Sequence, residues 1–199
     1  MRPDVARSMT RSAATFRDLV WPAIAGACGG GSLVSVEEVT ATGFAKDLDA
    51  LAGIDHWQVI ADTGMRGIAS RVQRDSMRPY RRGPLDTFTI RCSLARGGPT
   101  ELHKRWQAIQ GRYVYPHLWA HAYVADAHDV LTSVAVVETR TLIERAGEWW
   151  MRHHDGTDLW RERDGMWVKD VTGGNRMLVI PWDLIGDALI TRWAVQAAA

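Results

Sequence analysis

The sequence predicts an α/β or α+β chain with a mixed central β-sheet flanked by helices. Two observations predict this. Segments of period-two alternation are interleaved along the whole chain with segments of helical spacing, and Gly- or Pro-bearing turns fall between many of them. The strongest alternation, YVYPHLWAHAYV from Tyr113 to Val124, puts Tyr113, Tyr115, His117, Trp119, His121 and Tyr123 on one face and smaller apolar residues on the other. At 199 residues the chain fits one domain and can bury about 70% of its unfolded surface. Within 1–199 we distinguish an N-terminal helix and Gly-rich break (1–30), a core (31–125) and C-terminal strands and helices (126–199). No internal repeat or low-complexity tract is visible.

In order, Val5, Met9, Ala13, Phe16, Val20 and Ile24 recur at near-helical spacing, so Pro3 to Ala27 reads as a helix that Pro22 kinks or ends. Cys28-Gly29-Gly30-Gly31-Ser32 stops it. No Gly-Lys-Ser/Thr follows, so this loop is a helix stop and not a phosphate cradle. Leu33 to Val39 is a strand, and Phe44 to Leu51 a short helical turn. Ile54 to Ala61 is a strand, paired through Ala61-Asp62-Thr63-Gly64 with a second from Arg66 to Gln73. Asp86 to Cys92 alternates and is a third strand. Thr100 caps a helix from Glu101 to about Gln110, with Leu102, Trp106 and Ile109 inside and Gly111 beyond. Val130 to Glu138 is an apolar strand, and Thr139 caps a helix through Leu142, Ile143, Ala146 and Trp150. Asp158 to Val171 reads as a hairpin turned at Asp164-Gly165, with Trp160 and Trp167 on its arms. Gly173-Gly174 leads into a strand from Met177 to Ile180, and Trp182 to Trp193 reads as a closing helix.

The formal net charge of +1 conceals an asymmetry. From Glu37 to Asp62 six acids face one base, net −5, and from Gly64 to Arg112 eleven bases face three acids, net +8. From Asp126 onward the balance is −4. An acidic cluster followed by a basic block is what a metal site beside a phosphate-binding surface needs, although the two blocks could also neutralise each other as surface ion pairs. Arg outnumbers Lys by 21 to 3; guanidinium forks match phosphate oxygens, and a GC-rich genome produces the same bias. Cys28 and Cys92 lie far apart without metal-ligand spacing, which argues against a disulfide scaffold or zinc module and fits a reducing cytoplasm. No apolar run approaches the ~20 residues of a membrane span, and Asp18 together with the lack of a sustained apolar stretch weakens a signal-peptide reading of the N-terminus.

The chemistry centres on Ala45 to Gln73, AKDLDALAGIDHWQVIADTGMRGIASRVQ. Metal-assisted phosphodiester hydrolysis needs hard oxygen ligands and a group to polarise water. Asp55 opens one strand of a hairpin whose partner carries polar residues 15 to 18 positions later. In this pattern, from Leu33 to Ile109, the chain resembles the PD-(D/E)XK superfamily of restriction-endonuclease-like nucleases. The resemblance implies that Asp55 binds a divalent metal, with Mg²⁺ as the expected cofactor. The family's second carboxylate and lysine belong on the strand ending at Gln73, where this sequence has Ser70-Arg71-Val72-Gln73 in place of Glu-x-Lys. Arg71 and Gln73 would then orient water or the scissile phosphate, and Glu37, Glu38 or Asp49 would supply the missing metal ligand. Arg74, Arg78, Arg81 and Arg82, in a basic loop around Tyr80, suit a nucleic-acid backbone or a solvated surface.

The resulting expectation is a metal-dependent DNA nuclease, or a degenerate nuclease-like protein that binds nucleic acid, DNA ahead of RNA. It is expected in the cytoplasm, without a membrane, and is compatible with a homodimer. The alternative is a non-enzymatic accessory factor that meets a protein partner through a Trp-rich surface, drawing on ten Trp residues. The aromatic face from Tyr113 to Tyr123 could stack bases, but alternation of this kind is also what a half-buried strand shows. His117 and His121 lie ~13 Å apart if the segment is a strand, too far for one ion. His153-His154-Asp155 is a metal-capable loop or a solvated one. Neither cysteine has triad partners, and no serine sits in a nucleophile-elbow context.

Overall fold

The computed structural model describes residues 11–36, 52–61, 64–74, 85–112, 114–125, 129–154, 162–171 and 173–194. Glu37, Glu38, Asp49, Arg78, Arg81 and Arg82 lie outside these residues, as do the 44–51 turn, Tyr113, Asp155 and Trp160. Among the described residues the architecture is mixed α/β: a six-stranded mixed sheet, a three-stranded antiparallel sheet and three helices. No described helix is long and apolar enough to cross a membrane.

Helix α1 (residues 11–24) runs through Pro22. A proline there lacks an N–H to bond backward, and its ring collides with the carbonyl four residues earlier. The helix accommodates it with a wide π turn over Phe16–Val20 before Trp21–Ile24. It ends at the Cys28–Ser32 break, where Gln58 Nε2 donates to Cys28 O (2.8 Å) and Gly30 O (2.6 Å) and Arg66 Nη2 donates to Cys28 O (2.6 Å). These side chains bond carbonyls of the turn that follows the helix and tie that turn to the sheet.

The large sheet follows the order β1 (Ser32–Ser35), β2 (His56–Ile60), β3 (Gly64–Arg74), β5 (Leu118–Ala125), β6 (Val130–Glu138), β9 (Leu189–Ala194). The β2–β3 hairpin pairs His56 with Ile68 and Ile60 with Gly64. β3 and β5 are parallel, so a long crossover must join them. That crossover contains β4 (Thr87–Ser93) and α2 (Glu101–Gln107, continued by a π turn over Ala108–Arg112). Thr100 caps α2 as its sequence predicts: His103 N–H donates to Thr100 Oγ1 at 3.1 Å.

β4 does not join the central sheet. It pairs with β8 (Asn175–Pro181), which pairs with β7 (Trp167–Val171), to make the small sheet. The turn at Asp164-Gly165 forms; among the described residues its arms meet at the Arg163–Met166 bridge, and β7 takes β8 as its partner.

Three further expectations are corrected. The strand read from Tyr113 begins at Leu118. Thr139 does not cap α3 (Thr139–His153): it is the first helical residue, its amide donates to His117 O at 2.9 Å, and its hydroxyl has no partner. The carbonyl of a distant residue thus satisfies the first free amide of the helix, and no side chain caps it. Trp182 to Trp193 is not a helix. Two 3₁₀ turns, Trp182–Leu184 and Gly186–Ala188, lead into β9, where Ile190 and Thr191 are β-branched and the backbone pairs with β6.

The large sheet buries both faces. On one, Phe16, Val20, Trp21 and Ile24 of α1 pack on Ile68, Leu118, Ala120, Ala122 and Val124. On the other, Trp119, Tyr123 and Val137 meet Phe88, Ile90, Leu178 and Ile180 of the small sheet, together with Leu102 of α2 and Leu142, Ile143, Ala146 and Trp149 of α3. Alternation along β5 assigns its side chains to the two faces, as the period-two pattern requires.

Candidate functional site

The β2–β3 register brings two of the three residues expected to be catalytic into one cavity. His56 opposes Ile68, so the preceding Asp55 falls beside Ala69 and Ser70. Asp55 N–H donates to Ile68 O (3.0 Å), and Asp55 Oδ2 accepts the Ser70 N–H at 2.6 Å. Arg71, one residue further, projects with Ala69 toward the small sheet. Both Asp55 and Arg71 border a cavity of about 420 Å³.

The cavity's remaining charge comes from the crossover. Arg91 of β4 and Glu101, Lys104 and Arg105 of α2 also border it. On a helix, positions 101, 104 and 105 share a side, which is why one short helix contributes three charged groups here. Four basic side chains against two acids leave the lining with a net charge of +2.

Glu101 is the clamp of this arrangement. Its Oε2 accepts from Arg71 Nη2 (2.8 Å) and from the Arg91 amide (3.0 Å), so it joins β3 of one sheet to β4 of the other. Arg71 Nη1 also donates to Thr89 Oγ1 at 3.3 Å. Burial disfavours the Glu101 carboxylate, but the Arg71 guanidinium and the Arg91 amide, helped by the charges of Arg105 and Arg91, hold its pKa below the usual value.

Arg105 lies buried at the other wall. Its Nη2 donates to Gly53 O (3.0 Å), and its guanidinium carbon stands 5.8 Å from the centre of the Trp119 ring. Gly53 is needed for this placement: its φ is +56°, and a Cβ there would lie 1.5 Å from Arg105 Nη2.

Gln73 does not join the cavity. Its Oε1 lies 3.3 Å from His121 Nε2, while the Thr89 amide donates to His121 Nδ1 at 3.3 Å. The Thr89 donor requires an unprotonated Nδ1, which puts the proton on Nε2, facing Gln73. Burial, reinforced by the charges of Arg71 and Lys169, holds the His121 pKa well below its usual value, so the ring is neutral. Arg74 points elsewhere too: it pairs with Asp129 and donates to Thr15 Oγ1 of α1 at 2.8 Å.

The aromatic face of β5 is core. Trp119, His121 and Tyr123 are 1%, 0% and 2% exposed, so they stack on neighbours and not on bases. Among the described residues the Trp side chains are buried or half-buried with one exception. Trp21, Trp119, Trp149 and Trp182 are buried, and among the described residues only Trp193, on the edge strand β9, is exposed. His117 accepts the Gly67 amide at the surface while His121 is buried, so the two share no ion. His153 pairs with Asp164.

Among the described residues no three His, Cys, Asp or Glu side chains gather as a metal site. The sequence reading missed Glu101, Lys104, Arg105 and Arg91. The signal was present for the first three: charged residues at positions 1, 4 and 5 of a capped helix whose Leu102, Trp106 and Ile109 face inward. Comparison with protein-family models, curated proteins and solved structures finds no match for the chain.

Proposed function

We propose that the chain is a nucleic-acid-binding protein of degenerate nuclease-like type, with DNA as its ligand, and that the cavity at Arg71 holds a backbone phosphate. The observation that carries this reading is the convergence of Arg71, Arg91, Lys104 and Arg105 on one cavity of phosphate-accommodating size. Guanidinium and ammonium donors at a partly enclosed site bind phosphate oxygens more strongly than they do on an open surface, because water competes less. The location of Asp55 at the entry to a strand beside the polar strand is the arrangement the PD-(D/E)XK resemblance implies.

The described residues do not suit a divalent cation. Asp55 has one oxygen on the Ser70 amide, and Glu101 is engaged by Arg71 and the Arg91 amide. The surrounding positive charge repels a dication and attracts an anion. Glu37 and Asp49, the further ligands expected from sequence, lie outside the described residues. On this reading Asp55 orders the β3 backbone through Ser70, and Glu101 holds the Arg71 guanidinium at the cavity.

The test is a titration of labelled single-stranded and duplex DNA with EDTA, Mg²⁺ or Mn²⁺ present, with products resolved on a gel. The expected outcome is binding that persists in EDTA and strands that remain intact. Strand cleavage that requires metal and is lost in Asp55→Asn would return the chain to the working nucleases. Absence of binding at low salt would remove the proposal.

A further inference from the structure

Helix α2 is a partition between two cavities. Glu101, Lys104 and Arg105 border the cationic one, while Leu102, His103 and Trp106 border a second of about 280 Å³. At 3.6 residues per turn these sets occupy adjacent sides of one helix. Thr100, the residue that caps α2, borders both, so the cavities meet around the start of the helix.

The second cavity has the opposite chemistry. Its walls include Leu102, Trp106, Cys92 of β4, and Trp150 and Met151 of α3. Gly147 of α3 lets Trp106 lie directly on that helix, since a Cβ at Gly147 would stand 2.3 Å from the Trp106 ring. Trp150 is half-buried, and its outer neighbours Met151 and His103 are exposed, which gives the cavity a mouth to solvent. Its volume sits at the low end of the roughly 300–1,000 Å³ of small-molecule sites, enough for one ring system.

A ligand that is anionic at one end and flat and apolar a short distance away matches the pair of cavities. We infer that the cavity bounded by Trp106 and Trp150 takes an unstacked base of the chain whose phosphate lies at Arg71, Arg91 and Lys104. This rests on the nucleic-acid reading above and narrows it: the ligand is a single strand or an unpaired end, because a base inside a duplex cannot leave its stack without cost. Aromatic walls without a converging set of polar groups imply tolerance of base identity.

The experiment compares an intact labelled DNA strand with an abasic strand of the same length, by fluorescence anisotropy, for the parent protein, Trp150→Ala and Trp150→Phe. The parent is expected to prefer the intact strand by at least about five-fold, the lower range of stacking on one aromatic side chain. Trp150→Ala should lose that preference while its affinity for the abasic strand stays unchanged, and Trp150→Phe should keep most of it. Equal binding of the two strands by the parent overturns the inference and leaves phosphate binding standing. This arm needs no variant, so it decides the matter even if Trp150→Ala fails to fold. Undiminished preference in a folded Trp150→Ala also overturns it. If the parent binds neither strand, the nucleic-acid reading fails first and the base site with it.

Discussion

The two faces of the central sheet are built from the same strands yet do different work. Toward α1, β3 and β5 present Ile68, Val72, Leu118, Ala120, Ala122 and Val124, small and aliphatic groups that close against Phe16 and Ile24. The polar side chains there are themselves packed: His56 stacks on Phe16 with ring centres 4.7 Å apart, and its Nε2 lies 3.1 Å from Ser70 Oγ. Toward the small sheet, the alternate residues of the same β3 are Ala69, Arg71 and Gln73. The crossover then adds four more charged groups at the cavity. One residue of register separates a sealed apolar seam from a cationic cavity, which is the consequence of the two-residue period of a strand.

The largest expected effect is on the sealed face. Phe16→Ala removes a fully buried ring that packs on His56, and should cost about 3–5 kcal/mol in urea unfolding. DNA affinity of the folded fraction should stay at the parent value. A matching loss of affinity would mean that the faces are not independent.

Acid should strain both faces through their histidines. Burial, with the Arg17 charge, pushes the His56 pKa down to about 4, and His121 is held low by its own burial. The unfolded chain binds these protons near the usual 6.5 and the folded chain does not. Stability is therefore full above pH 6.5 and falls as the pH drops toward 4, by roughly 3 kcal/mol for His56 alone. Urea midpoints that stay level from pH 6.5 to 4 would contradict neutral, buried imidazoles.

Glu101 gives a smaller effect confined to the cavity face. Glu101→Ala removes acceptors for Arg71 and the Arg91 amide and should cost about 2 kcal/mol, a charged hydrogen bond's range. Because the folded pKa lies below the ordinary 4.5, this contribution is present above pH 4.5 and is lost as the pH falls through the folded value. A pH profile below 4.5 that the substitution leaves unaltered would show that Glu101 is no clamp.

How much of this contrast was legible in sequence depends on the range of the interaction. The β2–β3 hairpin was readable because alternation and a Gly-bearing turn are local, and its register is what places Asp55 near Arg71. The faces of β5 were readable for the same reason. The partner of β4 was not, since the strand carries no mark distinguishing β8 from β3. That choice decides whether α2 overlies the cavity. The helical reading of Trp182–Trp193 failed in the same way: pairing of β9 with β6 overrides a spacing that suits either structure. Gln73 was misplaced because its polarity suggested a site, whereas its function is to meet the buried His121.

The most direct test of the central claim is the salt dependence of DNA binding by the parent and by the Arg91→Ala/Lys104→Ala double variant. Both side chains border the cavity, and neither belongs to the Glu101–Arg71 ion pair. The account predicts a folded variant with affinity reduced about ten-fold or more at low salt, and a slope of log K against log salt shallower by about 0.7 for a single strand, as loss of one neutralised phosphate requires. A variant with the parent's affinity and the parent's slope would show that the phosphates are held somewhere other than this cavity.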